Sequence, residues 1–260
     1  TAGFGTAAGT WSSAGTSLWN QDAAGGSASG GFLISYQTTT SDTLNFGTTA
    51  SALGFGTIAV SGTVNAGNLN FETSGSGPND FILNGGTINL AATSTIFNGG
   101  NVNTIDSALS GAANLTITGG GTLKFSGGNA GFGASGTATV AGTTTVQFTS
   151  GGANGLGGST GFTINLGNAT TGGTLSVANS SVNNANKITV MDGTGTRTLT
   201  AGGTIAATYT GVITANQNLT VTFASSASGG FLTVNGAFNT IASTKTVTFN
   251  SSGTVNNLTD

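Results

Sequence analysis

Short runs in which apolar residues alternate with Thr, Asn or Ser recur along the whole chain, and nothing else in the sequence constrains the fold as strongly. Thr57-Ile58-Ala59-Val60, Thr87-Ile88-Asn89-Leu90, Thr122-Leu123-Lys124-Phe125 and Phe162-Thr163-Ile164-Asn165-Leu166 are examples, and Leu219–Phe223 and Thr246–Phe249 repeat the pattern. A period of two puts the apolar side chains on one face of a strand and the hydroxyls and amides on the other. Thr suits the outer face because it is both β-branched and polar. Between the runs stand Gly-Gly, Asn-Gly and Ser-Gly pairs, the residues that accept positive φ at turns. No stretch carries the apolar period of an amphipathic helix, so the chain is read as all-β.

Two all-β architectures compete. Asn84-Gly85, Asn98-Gly99, Asn154-Gly155, Asp192-Gly193 and Asn235-Gly236 suit the tight turns of antiparallel hairpins, hence a β-sandwich. A parallel β-helix (β-solenoid) is favoured by the brevity of the strands and by a recurring lead-in, two glycines opening directly into a strand. This double glycine stands at Gly30-Gly31, Gly85-Gly86, Gly120-Gly121, Gly172-Gly173, Gly202-Gly203 and Gly229-Gly230. Several of its copies are roughly 27 to 34 residues apart, a period that marks a repeat architecture. In such a stack one coil covers the apolar face of the next. The solenoid is the expected fold, with Asn and Thr ladders satisfying one another along the stack. No linker interrupts the pattern, so residues 1–260 are read as one continuous domain, with 1–30 as an N-terminal cap or assembly segment. Residues 74–80 read as a protruding loop.

Composition excludes several function classes. With no Cys and no His, the chain holds no disulfide framework and no zinc or haem site of the usual kind. Four basic residues against seven acidic ones cannot neutralise a phosphate backbone, which excludes nucleic acid as a partner. A hydrophobic content of 36% with only 4% charged residues is the opposite of a disordered chain. No apolar run is long enough for a membrane-spanning helix. The chain begins with Thr1 and is read as a processed product or excised segment of a secreted precursor.

Leu115-Thr116, Gly119, Gly121-Thr122-Leu123, Phe125, Gly127 and Asn129, followed by Gly136-Thr137, Val140 and Gly142-Thr143, form a spaced pattern. It resembles the autotransporter-associated β-strand repeat of secreted passenger domains in Gram-negative bacteria. Ile117 and Phe132 stand near the positions where that repeat usually has Lys and Tyr. The resemblance covers about half the chain, with Trp11, Trp19, Leu44-Asn45-Phe46-Gly47 and Asn84–Leu90 upstream. It implies a right-handed parallel β-helix at the outer cell surface of a Gram-negative bacterium.

No constellation of residues calls for catalysis, a cofactor or a metal. Gly131-Phe132-Gly133-Ala134-Ser135-Gly136 matches Gly-x-Gly-x-x-Gly, but a dinucleotide site needs a following helix and an acid about 20 residues on, and no acid lies between Asp106 and Asp192. The acids Asp22, Asp42, Glu72, Asp80, Asp106, Asp192 and Asp260 are scattered, unlike the close pair of a glycosidase. Asn79-Asp80 and Asn101, Asn103 and Asp106 are the best oxygen clusters for calcium, and turn chemistry explains them more simply. Thr-x-Thr pairs such as Thr116/Thr118, Thr137/Thr139, Thr208/Thr210, Thr220/Thr222 and Thr246/Thr248 would order water if they formed a rank on one face, but their sequence spacing is uneven. Lys187, Asp192 and Arg197 read as solvated loop charges.

What the surface lacks points to a role. Natural sheets blunt their edges with Lys, Pro or covering helices, and solenoids need polar caps to stay single. Three Lys, one Pro and a net charge of −3 leave the terminal strand edges open to another copy. The expectation is therefore an extracellular structural protein, not an enzyme, joining itself head to tail into a filament or surface matrix. Trp11, Leu18, Trp19, Val247, Phe249, Val255 and Leu258 are the candidate joint. The alternative is an adhesin or passenger stalk whose loops bind a host surface or polysaccharide. Trp11 and Trp19 would then stack on sugars, although plugging the open end of the first coil is the reading favoured for them.

Overall fold

A strand with one apolar face has to cover that face, and this chain does so by winding. The computed structural model describes residues 9–20, 33–47, 56–72, 81–111, 113–127, 136–149, 156, 162–178, 183–201, 207–223, 232–240 and 245–251. Among them there is no helix, and every strand pairing is parallel except one hairpin, Leu18–Asn20 with Leu33–Ser35. Parallel neighbours require a long crossover, and here the crossover is the rest of the coil. The parallel β-solenoid is thus the architecture, and the Asn-Gly pairs do not build an antiparallel sandwich.

Each coil is built from up to three faces. The first holds Thr43–Phe46, Asn68–Phe71, Gly136–Val140, Phe162–Leu166, Lys187–Val190, Ile213–Ala215 and Phe238–Thr240. The second holds Gly9–Ser12, Gly56–Ser61, Phe81–Asn84, Thr145–Phe148, Gly173–Val177, Arg197–Ala201, Leu219–Phe223 and Val247–Ser251. Two long strands, Thr93–Ile105 and Asn114–Phe125, run round the corner and contribute to both. The third face is split between Thr63–Ala66, Thr87–Leu90 and Ala108–Ser110, and Asn183–Asn184, Ala207–Tyr209 and Leu232–Val234.

Register turns the alternating pattern into ladders. On the first face Leu44, Leu69, Ile96, Ile117, Val140, Leu166, Val190 and Ala215 pair in succession. On the second, Leu123, Val146, Leu175, Leu199 and Val221 do the same. All are buried in one continuous core, and each such Leu, Ile or Val side chain is worth about 1.5–3 kcal/mol of burial. Like stacks on like: Phe46 lies on Phe71 with ring centroids 5.1 Å apart, and Phe125 on Phe148 at 6.0 Å. Outside, amides and hydroxyls bond from coil to coil. Asn68 Nδ2 donates to Thr43 Oγ1 (3.0 Å), Asn70 Nδ2 to Asn45 Oδ1 (2.8 Å) and Asn89 Nδ2 to Asn65 Oδ1 (2.8 Å).

Coil length varies while the register holds. Asn103 pairs with Leu123 and Thr145 with Thr174, so the later coil is nearly half as long again as the earlier one. The double glycines do not measure this pitch, because they sit at different corners. Gly85-Gly86 precedes a third-face strand, and Gly120-Gly121 lies between the first two faces. Where the register shifts between Gly99 and Val102, two buried amides fill the corner. Asn103 Oδ1 accepts from the Phe81 amide (2.9 Å), its Nδ2 donates to Asn98 Oδ1 (2.7 Å), and Asn98 Nδ2 donates to the Gly120 carbonyl.

Tyr209 is fully buried, and its single hydroxyl proton is shared between the carbonyls of Leu175 (3.1 Å) and Thr200 (3.2 Å). Burial holds its pKa well above the ordinary 10.0. The native phenol stays protonated where the unfolded one ionises, so its contribution to stability is intact below pH 10 and is lost as pH rises further. The melting temperature is expected to fall above pH 10, with a slope of up to about 1.4 kcal/mol per pH unit in stability. Tyr209→Phe should flatten that alkaline slope; an unchanged slope in thermal melts from neutral pH to pH 12 would assign it elsewhere.

Candidate functional site

The two ends of the ladder differ, and the candidate joint residues divide between them. At the N-terminal end, Gly9–Ser12 forms the outermost described strand of the second face, paired to Gly56–Ser61. Trp11 is 2% exposed. Its ring meets Trp19 edge-on at 5.8 Å and Phe46 at 6.3 Å, and its Nε1 donates to Thr38 Oγ1 (3.0 Å). Trp19 is half-buried on the hairpin that follows, where Leu18 pairs with Ser35. The chain covers its own first coil here. The Ser12 amide donates to Ser17 Oγ (2.7 Å), the Tyr36 amide to the Ser17 carbonyl (3.1 Å), and Gln37 Nε2 to the Ser13 carbonyl (2.8 Å).

The C-terminal end has no such cover among the described residues. Val247 and Phe249 pair with Leu219 and Val221, which are 1% and 0% exposed. Val247 and Phe249 are only half-buried, as are Leu232, Val234 and Phe238 in the same last turns. Burial that is complete one coil earlier is only partial at the last described strand. The structure brings together Trp11 with Trp19, and Val247 with Phe249, at opposite ends of the ladder. Val255 and Leu258 lie outside the described residues.

Among the described residues the exposed large hydrophobics are Tyr36 and Val212, and no group of three His, Cys, Asp or Glu could hold a metal ion. Asp42 accepts the Thr39 amide (2.6 Å) and the Tyr36 hydroxyl (3.3 Å), an interaction that raises the Tyr36 pKa. Asp106 accepts from Ser126 Oγ (2.8 Å), and Asp192 accepts the Gly193 amide (3.0 Å) and faces Lys245 Nζ at 3.9 Å. The calcium candidates diverge: Asn103 is buried in the corner and Asp106 is exposed. Asn79, Asp80, the 74–80 loop and Gly131–Ser135 lie outside the described residues. A groove between the first two faces is lined by Gly142, Thr143, Thr171, Gly172, Thr196 and Thr198, none of them titratable.

Arg197 overturns its reading as a solvated charge, for it is 1% exposed. It opens a second-face strand, and the alternation points its side chain inward. Desolvation draws its pKa below the ordinary arginine value, against the pull of Asp192. Its guanidinium is held by main-chain carbonyls of two coils: Nη1 donates to Gly193, Thr194 and Gly195, and Nη2 to Asn168 (2.7 Å). The alternation separates it from Lys187, which stands at an outward position of its strand and is exposed, but charge argues for solvent at both. No family model, no curated protein and no solved structure matches the chain.

Proposed function

We propose that the chain is an extracellular structural protein, a β-solenoid subunit that joins other copies through its coil ends into a filament or cell-surface matrix. The observation that supports this reading is the contrast, among the described residues, between flanks with few exposed apolar side chains and a half-covered apolar rim at the last described strand. Among the described residues the sides offer almost no exposed apolar surface, whereas Leu232, Val234, Phe238, Val247 and Phe249 form a half-covered rim beside the last strand edge. A parallel edge with an apolar rim is completed best by another coil with the same inward Leu, Val and Phe pattern, and a second copy supplies one. The resemblance of Leu115–Phe148 to a passenger-domain repeat supports the extracellular setting.

The hairpin over Trp11 bears on the symmetry. A head-to-tail joint must pack the C-terminal rim against the Trp19 hairpin and then propagates, whereas a tail-to-tail joint buries two rims and closes as a pair. Negative-stain images and sedimentation of the chain at rising concentration should show filaments of coil-wide thickness. Phe249→Lys, which sets a charge on the rim, is expected to release monomers. A chain that stays monomeric at the highest concentrations would end the proposal, and one that stops at two copies would replace the filament with a closed pair.

A further inference from the structure

We propose that the second face of the solenoid is an ice-binding surface, whose outward threonines hold water in an ice-like lattice. Thr122, Thr145, Thr174, Thr198, Thr220 and Thr248 pair one to the next in unbroken succession. Their intervals along the chain are unequal, but that irregularity is absorbed in the corners and loops and vanishes on the face. Stacking does not demand this. Buried inward positions on this face are, Arg197 apart, filled by apolar side chains, but outward ones need only be polar. The third face uses Asn65, Asn89 and Ser110; on the first face one outward rank runs Thr93, Asn114, Thr137, Thr163, Lys187, and the other, Thr95, Thr116, Thr139, Asn165, Thr189, Thr214, is rich in threonine but broken at Asn165.

A second rank two residues along each strand makes the array two-dimensional: Lys124, Gln147, Ser176, Thr200, Thr222 and Asn250. Neighbouring strands lie about 4.7–4.9 Å apart and alternate residues about 6.6 Å along a strand. Those two repeats are close to the oxygen repeats of a prism plane of hexagonal ice. The array is most regular at Thr198, Thr200, Thr220 and Thr222; Ser176 is buried and interrupts the second rank.

Three further observations point to water as the ligand. Among the described residues the hydroxyls of the Thr rank make no hydrogen bond, whereas on the first face Thr137 Oγ1 is spent on Asn114 Oδ1 and Asn68 Nδ2 on Thr43 Oγ1. Each threonine of the rank is half-buried or exposed, so solvent reaches it. Of the two ranks only Lys124 is charged, and no aromatic ring interrupts them, so the surface neither organises its own ionic shell nor offers a platform for a sugar.

The test is incorporation into ice by the full chain, frozen slowly from dilute solution, together with inhibition of ice recrystallisation. The wild type and Thr189→Tyr, on the first face, should be drawn into ice and arrest crystal coarsening. Thr198→Tyr and the milder Thr220→Val should be excluded, with melting temperatures like that of the wild type. Exclusion of the wild type would overturn the proposal, as would undiminished incorporation of both second-face variants or equal loss in Thr189→Tyr. Capture on crystalline cellulose or chitin without entry into ice would overturn it too, and assign the face to a polysaccharide. None of these outcomes depends on whether copies join end to end.

Discussion

Arg197→Met is expected to lower stability by about 3 kcal/mol and the melting temperature by on the order of 10 °C. Met fills much of the same volume, so the loss isolates the hydrogen bonds. The guanidinium ties the carbonyls of Gly193, Thr194 and Gly195 to that of Asn168 in the preceding coil. Without it, the 192–196 corner and the 168–172 corner lose their common donor. Some of those carbonyls can turn to water, because Thr194 and Gly195 are partly or fully exposed, and this keeps the figure below that for a sealed cage. Arg197→Lys should recover less than half: a single ammonium cannot span both corners as the planar fork does. Calorimetry of the two variants checks the claim, and a Met variant as stable as the wild type would show that the fork holds nothing together.

That arginine marks the limit of what the alternation makes legible. Period two correctly places Thr87–Leu90, Phe162–Leu166 and Leu219–Phe223 as strands and puts Ile88, Ile164 and Val221 inside. It puts Arg197 inside as well, but charge argues for solvent, and only the carbonyls of two coils make its burial tolerable. The competing sandwich has the same root. Asn84-Gly85 and Asn235-Gly236 are corners of a coil, and Asn98 is a buried amide within a strand that bends. A corner and a hairpin ask for the same turn residues, so the dipeptide does not say whether the next strand returns or goes round. The threonine rank is illegible for a different reason. Its spacing is regular only in coils, and coil length is set by loops of unequal size. At the ends, the aromatic cover at Trp11 follows from its size and position. The hairpin that carries Trp19, however, is antiparallel in an otherwise parallel stack, and nothing local in the Leu33–Ser35 run announces that.

Gly211→Ala should cost more than Arg197→Met, about 4 kcal/mol, and should divide the solenoid's unfolding. Gly211 sits buried at a corner where three successive coils touch through their main chains. A Cβ there would lie 1.8 Å from the Asn186 carbonyl oxygen, and a Cβ on Gly236 would lie 1.8 Å from the carbonyl oxygen of Gly211. Backbone cannot swing aside as a side chain does, so the coil must lift. The bonds it would strain are those that set the local register: Thr210 N–H to the Asn184 carbonyl (2.8 Å) and Ile188 N–H to the Val212 carbonyl (2.9 Å). Because each coil contacts only its neighbours, the lesion separates the coils before it from those after it. Amide exchange should then accelerate in Lys187–Val190 and Ile213–Ala215 while Asn68–Phe71 stays protected. Gly15→Ala is the control: its φ is +70°, yet its nearest foreign atom would be 3.5 Å away. It therefore bears only the left-handed backbone cost of about 1 kcal/mol. If the two alanines proved equally costly, conformation rather than contact would govern Gly211, and the close stacking of main chains at this corner would be wrong.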